Sequence, residues 1–370
     1  MSLFHYAVDP ATGFVPSAPP LQRLPHDYAT WDALVPELST LLRSRRVRHA
    51  LRTLPDLDVR ALQTQPERER ALLLLSVFAN AWVWGGHEPD LRLPASVARP
   101  LCAVADSLGR PPITHYASMS MNNWRLVDAD APLSVENART QVQFLGGVDE
   151  DWFFIASMGV ELAGAPLLAL VAAADAASRD GSDDELARIL EGFAAGMSRV
   201  HDALRRIREW CDPATYFLRV RPFLSGWPDP GVVYEGVSET PRKFLGGSAA
   251  QSSLMQSFDA LLGLSHADAP AGMYLRAIRA YMPARHRAFV EDLERTSRVR
   301  ERAGLGAKAL RDAYNAALQA MEVFRGIHMQ LAHDFIIQPS GATHDPQGTG
   351  GTALTSFLRG AQTTVTNAKL

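Results

Sequence analysis

The stretch from Phe153 to Ala174, FFIASMGVELAGAPLLALVAAA, constrains the fold more than any other part of the sequence. It is apolar over roughly the 20 residues that a membrane-spanning helix needs. Glu161 lies near its middle, where a carboxylate would be costly in lipid, and the sequence offers no second candidate span. The segment therefore predicts a buried helix at the centre of a large helical domain.

Helical periodicity dominates the rest of the chain. Ser182 precedes Glu185 by three residues, which is typical of a capped helix start, and apolar residues then recur every three or four positions until the region of Cys211. Further helices are predicted from Glu67 to Trp84, Ser253 to Leu264, Ala271 to Tyr281, Ala284 to Glu294 and Lys308 to Ile337. Alternating strand patterns are nearly absent, so the predicted fold class is all-α.

Two irregular regions interrupt these helices. Gly146 and Gly147, followed by an acidic run, indicate a break, and we predict a small N-terminal helical domain at 1–145 and a large C-terminal helical bundle at 146–370. The stretch from Gln338 to Thr352 consists mostly of turn-forming residues. A loop of this length is typical of a lid or a binding loop, and disorder is the alternative.

The charge balance favours a protein that acts on small molecules. The formal net charge is -3, and no long run of Lys and Arg suggests a nucleic acid or an anionic membrane as partner. Cys102 and Cys211 are too few for a disulfide scaffold and belong to no zinc-binding pattern. Because the N-terminus also lacks the pattern of a signal peptide, we expect a cytoplasmic protein.

His328 interrupts the apolar stripe of the helix predicted from Lys308 to Ile337. Such a histidine can be a core residue whose ring is satisfied by a backbone carbonyl, or it can be a ligand. A bare zinc or iron ion needs about three protein ligands, and neighbouring positions of this helix supply none. A haem needs only one axial imidazole, so a lone histidine among Phe, Leu and Met side chains is compatible with haem.

Several motifs then occur in an informative order. They are FLGGSAAQSSLMQSFDALLGL (244–264), YMPARHRAF (281–289), GIHMQLAHDFII (326–337) and GTGGT (348–352), preceded by PPITHYASMSMNNW, DWFFIASMGVE and YFLRVRPFLSGW. In sequence and spacing these motifs resemble the indoleamine 2,3-dioxygenase family from about Pro111 to the C-terminus. Before Pro111 the resemblance is weaker.

The resemblance implies a two-domain helical haem protein whose larger, C-terminal domain holds haem b. His328 falls on the position of the family's proximal iron ligand. The implied reaction inserts both atoms of O2 across C2 and C3 of the indole ring of L-tryptophan and gives N-formylkynurenine. The implied partners are O2, L-tryptophan or an indole analogue, and an electron donor that keeps the iron ferrous; we expect a monomer.

The resemblance also assigns pocket residues. Ser157 and Arg221 are the catalytic candidates, Ser157 being the hydroxyl expected nearest to O2. The other residues expected to contact substrate are Tyr116, Phe153, Tyr216, Phe217, Ser248, Ala249 and Thr349. Gly247, Ser248 and Arg325 are expected beside the haem, and Arg325 could pair with Asp259. The glycines of GGSAAQ are equally compatible with an ordinary turn before a helix that starts near Ser252.

One choice stays open at this stage, because Arg219 and Arg221 both could bind the tryptophan carboxylate. Residues two apart point to different sides of a helix but share a face of an extended segment, so periodicity does not choose between them; family position favours Arg221. The chain also has Tyr216 where the commonest members of the family have Phe, and Leu204 in place of another Phe.

Three alternatives to a tryptophan dioxygenase remain. One is a haem-binding homologue that senses gas or redox state. Another acts on a different indole substrate, which the changes at Tyr216 and Leu204 make worth testing. The third is a helical interaction protein in which His328 is only a core residue.

Overall fold

The computed structural model describes residues 2–264, 270–341, 347–349, 351 and 353–370. The α-helices are α1 (Ala29–Leu34), α2 (Leu38–Arg43), α3 (Val47–Arg52), α4 (Gln65–Trp84), α5 (Ala95–Ser107), α6 (Val148–Asp180), α7 (Asp183–Arg205), α8 (Pro213–Thr215), α9 (Ser253–Leu261), α10 (Pro270–Ile278), α11 (Ala284–Thr296), α12 (Val299–Leu305), α13 (Lys308–Ala332), α14 (Gln338–Ser340) and α15 (Leu354–Thr366). Helix accounts for 64% of the protein and strand for 6%, which confirms the all-α prediction.

Shorter elements join these helices. The 3-10 turns are Leu3–Tyr6, His26–Tyr28, Val59–Ala61, Arg206–Glu209, Arg221–Leu224, Ala249–Gln251 and Arg279–Tyr281. The π-helical turns are Ala117–Met121, Tyr216–Val220 and His333–Ile337. Because π-turns often occur at functional sites, these three turns are candidates for parts of the predicted pocket.

Five short strands occur among the described residues. They are β1 (Arg92–Leu93), β2 (Trp124–Leu126), β3 (Ala138–Thr140), β4 (Val232–Tyr234) and β5 (Ser238–Arg242). The strand β4 lies between β1, which is parallel to it, and β5, which is antiparallel, while β2 and β3 form a separate antiparallel pair. The pairing of β1 with β4 joins chain segments on both sides of the predicted domain boundary, and the boundary itself stays a prediction.

The long apolar segment forms most of α6. Gly146 and Gly147 have positive φ angles of 74° and 105°, which glycine adopts without strain, and they direct the chain into the helix. Glu150, in the first turn, accepts hydrogen bonds from the backbone N–H groups of the three residues that precede Gly147 (2.5, 2.9 and 2.9 Å). In the most apolar part of α6, 67% of the residues are buried inside the protein, so α6 is a core helix.

The predicted helices differ from the observed ones mainly at their ends. The helix α7 starts after Ser182, whose hydroxyl accepts from the Glu185 N–H, as predicted. The helix α4 begins earlier than predicted because Thr64 and Glu67 form a reciprocal capping box. The helix α9 ends at Leu261 instead of Leu264, and the long C-terminal helix changes to a π-turn at His333.

Most buried apolar side chains form one connected core that extends through both halves of the chain, and Ala332, Leu354 and Leu358 form a second, small cluster. The helix α6 packs against α7 and α9, and α13 packs against α7 and the C-terminal α15. The residues of α6, α9 and α13 that are predicted to have a function therefore lie on neighbouring elements.

Candidate haem and substrate pocket

His328 lies in the last third of α13 and is half-buried. Its ring is nearly parallel to that of Phe324, with 6.4 Å between centroids and 26° between planes, and it makes no hydrogen bond with the described residues. Burial, and then the charge of Arg325, lower the pKa of His328, so the ring is neutral at physiological pH. A neutral imidazole is the form that binds a metal.

Other histidines of the chain match the alternative of a satisfied core residue. His115 contacts the carbonyl oxygen of Pro111 at 2.7 Å, and His201 contacts the carbonyl oxygen of Ala320 at 2.9 Å. His328 lacks such a partner among the described residues. The contrast favours a ligand role for His328 over a structural one.

The donor set around His328 fits a haem better than a bare ion. Within the part of the chain that the structure describes, no three His, Cys, Asp or Glu side chains form a group that could hold a metal ion. A single neutral imidazole is insufficient for a bare zinc or iron site, but it is sufficient as the axial ligand of a porphyrin.

The helix turn before His328 carries the predicted ion pair. Nη2 of Arg325 lies 2.5 Å from Oδ1 of Asp259 on α9, and both side chains are mostly buried. The other guanidinium nitrogen, Nη1, donates to the carbonyl oxygen of Ala361 on α15. Arg325 therefore joins three helices close to the imidazole, and the pairing of Arg325 with Asp259 that the sequence suggested is present.

Two of the residues predicted to contact the indole belong to an aromatic cluster. The rings of Phe153 on α6 and Tyr216 in the π-turn Tyr216–Val220 lie 4.5 Å apart, centroid to centroid. On its other side Tyr216 meets Phe335 edge-on, at 5.9 Å. Phe335 is not among the residues that the sequence assigned to the pocket, although it follows His328 by seven residues, which places both on one face of the chain.

Tyr116 and Ser157 meet at the side of this cluster. The hydroxyl of Tyr116 donates to the carbonyl oxygen of Ser157 at 3.3 Å. The hydroxyl of Ser157 donates in turn to the carbonyl oxygen of Phe153, one helical turn earlier, at 2.7 Å. Phe153 and Ser157 are four residues apart and share the face of α6 that carries the cluster.

The structure separates the two candidate arginines. Arg219 is exposed, whereas Arg221 is half-buried at the start of a 3-10 turn, and burial lowers the pKa of its guanidinium. The guanidinium of Arg221 lies over the ring of Phe217, 5.4 Å from its centroid, and Nη2 donates to the carbonyl oxygen of Gln347. Its Nε is buried and has no partner among the described residues. Among the described residues, Arg221 is thus the one of the two arginines that has a buried donor left for an anion.

The glycine-rich turn has two different glycines. A Cβ at Gly246 would lie 2.1 Å from the carbonyl oxygen of Leu224 and 2.4 Å from the amide nitrogen of Gly226. The sequence left a nearby ligand and an ordinary turn open as reasons for these glycines, and Gly246 matches the second, because this contact with the chain's own backbone requires it. At Gly247 the nearest atoms are 3.9 Å away, so this position leaves space for a ligand.

The next residues of the turn are accessible. Ser248 accepts from the N–H of Ala250 at 3.3 Å and begins the short 3-10 turn Ala249–Gln251, in which the side chain of Ala249 is exposed. The hydroxyl of Ser248 also lies near that of Tyr274, whose pKa it lowers against the larger effect of burial.

Thr349 brings the second glycine-rich motif to the first. Its hydroxyl donates to the carbonyl oxygen of Gly247 at 2.7 Å, and its own carbonyl accepts from the N–H groups of Gly226 and Gly246 at 3.3 and 3.2 Å. Residues 342–346, 350 and 352 of the predicted loop lie outside the described residues. Thr349 therefore covers the turn that also contacts the segment before Gly226.

The candidate site combines an imidazole and an arginine donor that lack partners in the described part of the chain with an aromatic cluster and a glycine-rich turn. A helical fold with this set of side chains defines a class of haem protein that binds a flat apolar molecule carrying an anionic group.

Comparison with known proteins narrows this class. Residues 2–368 match the family described as "Indoleamine 2,3-dioxygenase". The chain is 33% identical to indoleamine 2,3-dioxygenase 1 of Rattus norvegicus, over 100% of this chain and 96% of the rat protein. It is 34% identical to indoleamine 2,3-dioxygenase of Saccharomyces cerevisiae (91% and 80% covered) and 32% identical to 6-hydroxytryptophan 2,3-dioxygenase of Fusarium equiseti (96% and 95%).

The chain belongs to the indoleamine 2,3-dioxygenase family. It is accordingly an enzyme, a haem-dependent dioxygenase that acts on tryptophan or an indole analogue. This finding rejects the interpretation as a helical interaction protein, in which His328 would have only a packing role.

Proposed function

We propose that the protein cleaves the indole ring of L-tryptophan, inserting both atoms of O2 across C2 and C3 to give N-formylkynurenine, with ferrous haem b bound through His328. The observation that carries the proposal is the neutral imidazole of His328, without a partner among the described residues, in a protein that also offers Arg221 and an aromatic cluster. When bound, the haem supplies the iron that activates O2.

The side chains divide the remaining tasks. Arg221 receives the tryptophan carboxylate, since its buried Nε provides a donor that no described residue uses. Phe153, Tyr216 and Phe335 pack against one another and together offer an apolar wall to the indole ring. Thr349, bound to Gly247, closes the turn over the substrate and excludes water.

Several further points belong to the same proposal. Ser157 is the hydroxyl closest to the reacting atoms, and Gly247, Ser248 and Ala249 receive the polar edge of haem and substrate. The protein works as a cytoplasmic monomer and needs an electron donor to keep its iron ferrous.

An absorption spectrum of the ferrous, haem-loaded protein with and without L-tryptophan tests the proposal. A Soret band that shifts with tryptophan, together with formation of N-formylkynurenine in air and reductant, supports it. His328→Ala should abolish the Soret band or change its shape. His333→Ala is the matched control, because His333 is an exposed neighbour on the same chain segment and should leave the spectrum unchanged.

A different indole substrate is the second candidate, and Tyr216 favours it. The residue is 6% exposed, and its hydroxyl makes no hydrogen bond with the described residues, so the hydroxyl lacks a partner among them. A polar substituent on the indole ring would supply one. A higher kcat/KM for 6-hydroxytryptophan than for tryptophan, reversed by Tyr216→Phe, would establish this candidate, while spectral binding without any product would instead indicate a sensor.

A further inference from the structure

Glu161 is the charged residue in the middle of the apolar segment, and the proposed reaction gives it no task. It lies on α6 four residues after Ser157 and eight after Phe153, so it continues the face that carries the pocket. The side chain is 1% exposed. A carboxyl group in this position is costly unless it is protonated or fully hydrogen-bonded.

Two hydroxyl groups meet this carboxyl. The hydroxyl of Ser252 donates to Oε1 at 2.6 Å. Ser252 is the N-cap residue of α9, yet its side chain makes no capping bond to that helix, because its hydroxyl is directed to Glu161. Oε2 is buried and has no geometrically satisfactory partner among the described residues, but the hydroxyl of Tyr116 lies near enough to affect the pKa of Glu161.

These contacts connect the pocket face of α6 with the glycine-rich turn. Gln251, the neighbour of Ser252, accepts from the N–H of Tyr116 at 2.9 Å and donates to the carbonyl oxygen of Gly246 at 2.9 Å. Hydrogen bonds of Gln251 and Ser252 therefore hold the end of the turn. Ser252 binds α6 through the carboxyl group of Glu161.

We propose that Glu161 is a positioning residue of the substrate pocket: its carboxyl group joins Ser252 to Tyr116 and thereby fixes the Gly246–Gln251 turn against α6. The identity of the substrate in this inference rests on the proposed function, whereas the contacts of Glu161 do not depend on it. In the protonated form we expect a continuous chain, in which Ser252 donates to Oε1, the acid proton on Oε2 turns to the Tyr116 oxygen, and Tyr116 donates to the Ser157 carbonyl. Ionisation removes that proton, so Tyr116 becomes the donor to Glu161 and leaves Ser157.

The balance between the two forms falls near neutral pH. Burial raises the pKa of Glu161 to about 7, against the smaller lowering effects of Ser252 and Tyr116. The pKa of Tyr116 is raised well above its usual value, so it stays neutral, and burial lowers the pKa of the adjacent His115 to about 3. On α9, the facing residue Ser252 is not titratable. Glu161 is therefore the group of this cluster that changes charge near pH 7.

Ligand binding by the haem-loaded, ferrous protein provides one test. For the wild type, the Kd for L-tryptophan from the Soret shift should vary between about pH 6 and about pH 8.5 with an apparent pKa near 7. Glu161→Gln keeps an acceptor and a donor, and should show a Kd that stays at the wild-type low-pH value. Glu161→Ala should show a Kd that does not vary with pH and lies about tenfold above the wild-type low-pH value, the effect of removing one buried hydrogen-bonding group.

The matched control is Glu150→Gln, because Glu150 is equally buried on the same helix but binds backbone N–H groups before Gly147. It should leave the pH dependence of the Kd unchanged. A Glu161→Gln variant whose Kd follows the wild-type pH profile would overturn the inference, as would a Glu161→Ala variant with the wild-type Kd.

Thermal unfolding of the same holoproteins, without tryptophan, separates this inference from the substrate proposal. The folded-state pKa of Glu161 lies above its usual 4.5, so its contribution to stability is complete below about pH 4.5 and is lost as the pH rises through about 7. The Tm advantage of the wild type over Glu161→Gln should therefore shrink as the pH rises. If the Tm values of the wild type and Glu161→Gln change in parallel with pH, the proposed positioning role of Glu161 is refuted. If the wild type shows no tryptophan-dependent Soret shift, the substrate proposal is refuted instead.

Discussion

Arg221 permits a sharp test of the pocket, because the same short stretch contains a control. Arg219 is two residues away, has the same chemistry and is exposed, whereas Arg221 is half-buried against Phe217 and Gln347. If Arg221 binds the tryptophan carboxylate, its replacement should impair substrate binding. Replacement of Arg219 should have no comparable effect.

The size of the effect follows from the donors that Arg221 has left. Nη2 is engaged by the Gln347 carbonyl, and Nε is buried without a described partner, so a carboxylate would use Nε and a remaining guanidinium N–H. A hydrogen bond to a charged group contributes about 1.5–3 kcal/mol. Arg221→Lys loses the planar fork, and we expect KM to rise about tenfold to a hundredfold; Arg221→Ala loses both bonds, and we expect about a hundredfold or more.

The assay is steady-state formation of N-formylkynurenine, accompanied by the Soret spectrum to verify that each variant retains haem. Arg219→Ala should stay within about twofold of the wild-type KM, since an exposed charge contributes little. Equal losses in Arg219→Ala and Arg221→Ala would refute the assignment. So would a normal KM for Arg221→Ala with an intact Soret band.

Three further variants test other contacts. Thr349→Val removes the 2.7 Å hydrogen bond to the Gly247 carbonyl and should raise KM about fivefold, while Thr349→Ser should restore it; equal KM values would contradict the closing role. Gly246→Ala places a Cβ 2.1 Å from the Leu224 carbonyl oxygen, and we expect loss of folded protein by circular dichroism; a normal Tm would contradict this packing. Asp259→Ala leaves its arginine partner without a carboxylate, and should weaken haem retention and change the reduction potential; an unchanged Soret band and potential would remove Asp259 from haem support.

The helices could largely be predicted from local sequence. The start of α7 was correct because the Ser182 cap and the Glu185 N–H that it binds are three residues apart. The end of α9 was placed three residues too late, although Gly263 carried the signal: it has a φ of 64°, the left-handed conformation in which many helices terminate.

The pocket was less accessible to prediction from the residues alone. The apolar stripe around His328 was compatible with a core residue and with a ligand, and only the family resemblance favoured the ligand. Phe335 was missed as a pocket residue because its contact with Tyr216 joins positions far apart in the chain. Glu161 was noticed only as an argument against a membrane span, since nothing in its neighbourhood of the sequence indicates Ser252 as its partner.

The sequence by itself determined the all-α class and the buried central helix, because helix hydrogen bonds, caps and apolar periodicity act over a few neighbouring residues, whereas the candidate residues came from the family resemblance. The tertiary structure alone decided that Arg221 and not Arg219 has a buried donor without a partner among the described residues, and that Thr349 binds the carbonyl of Gly247, 102 residues away. Such contacts depend on how distant helices and turns pack against one another, and side-chain spacing along one segment carries no information about that packing.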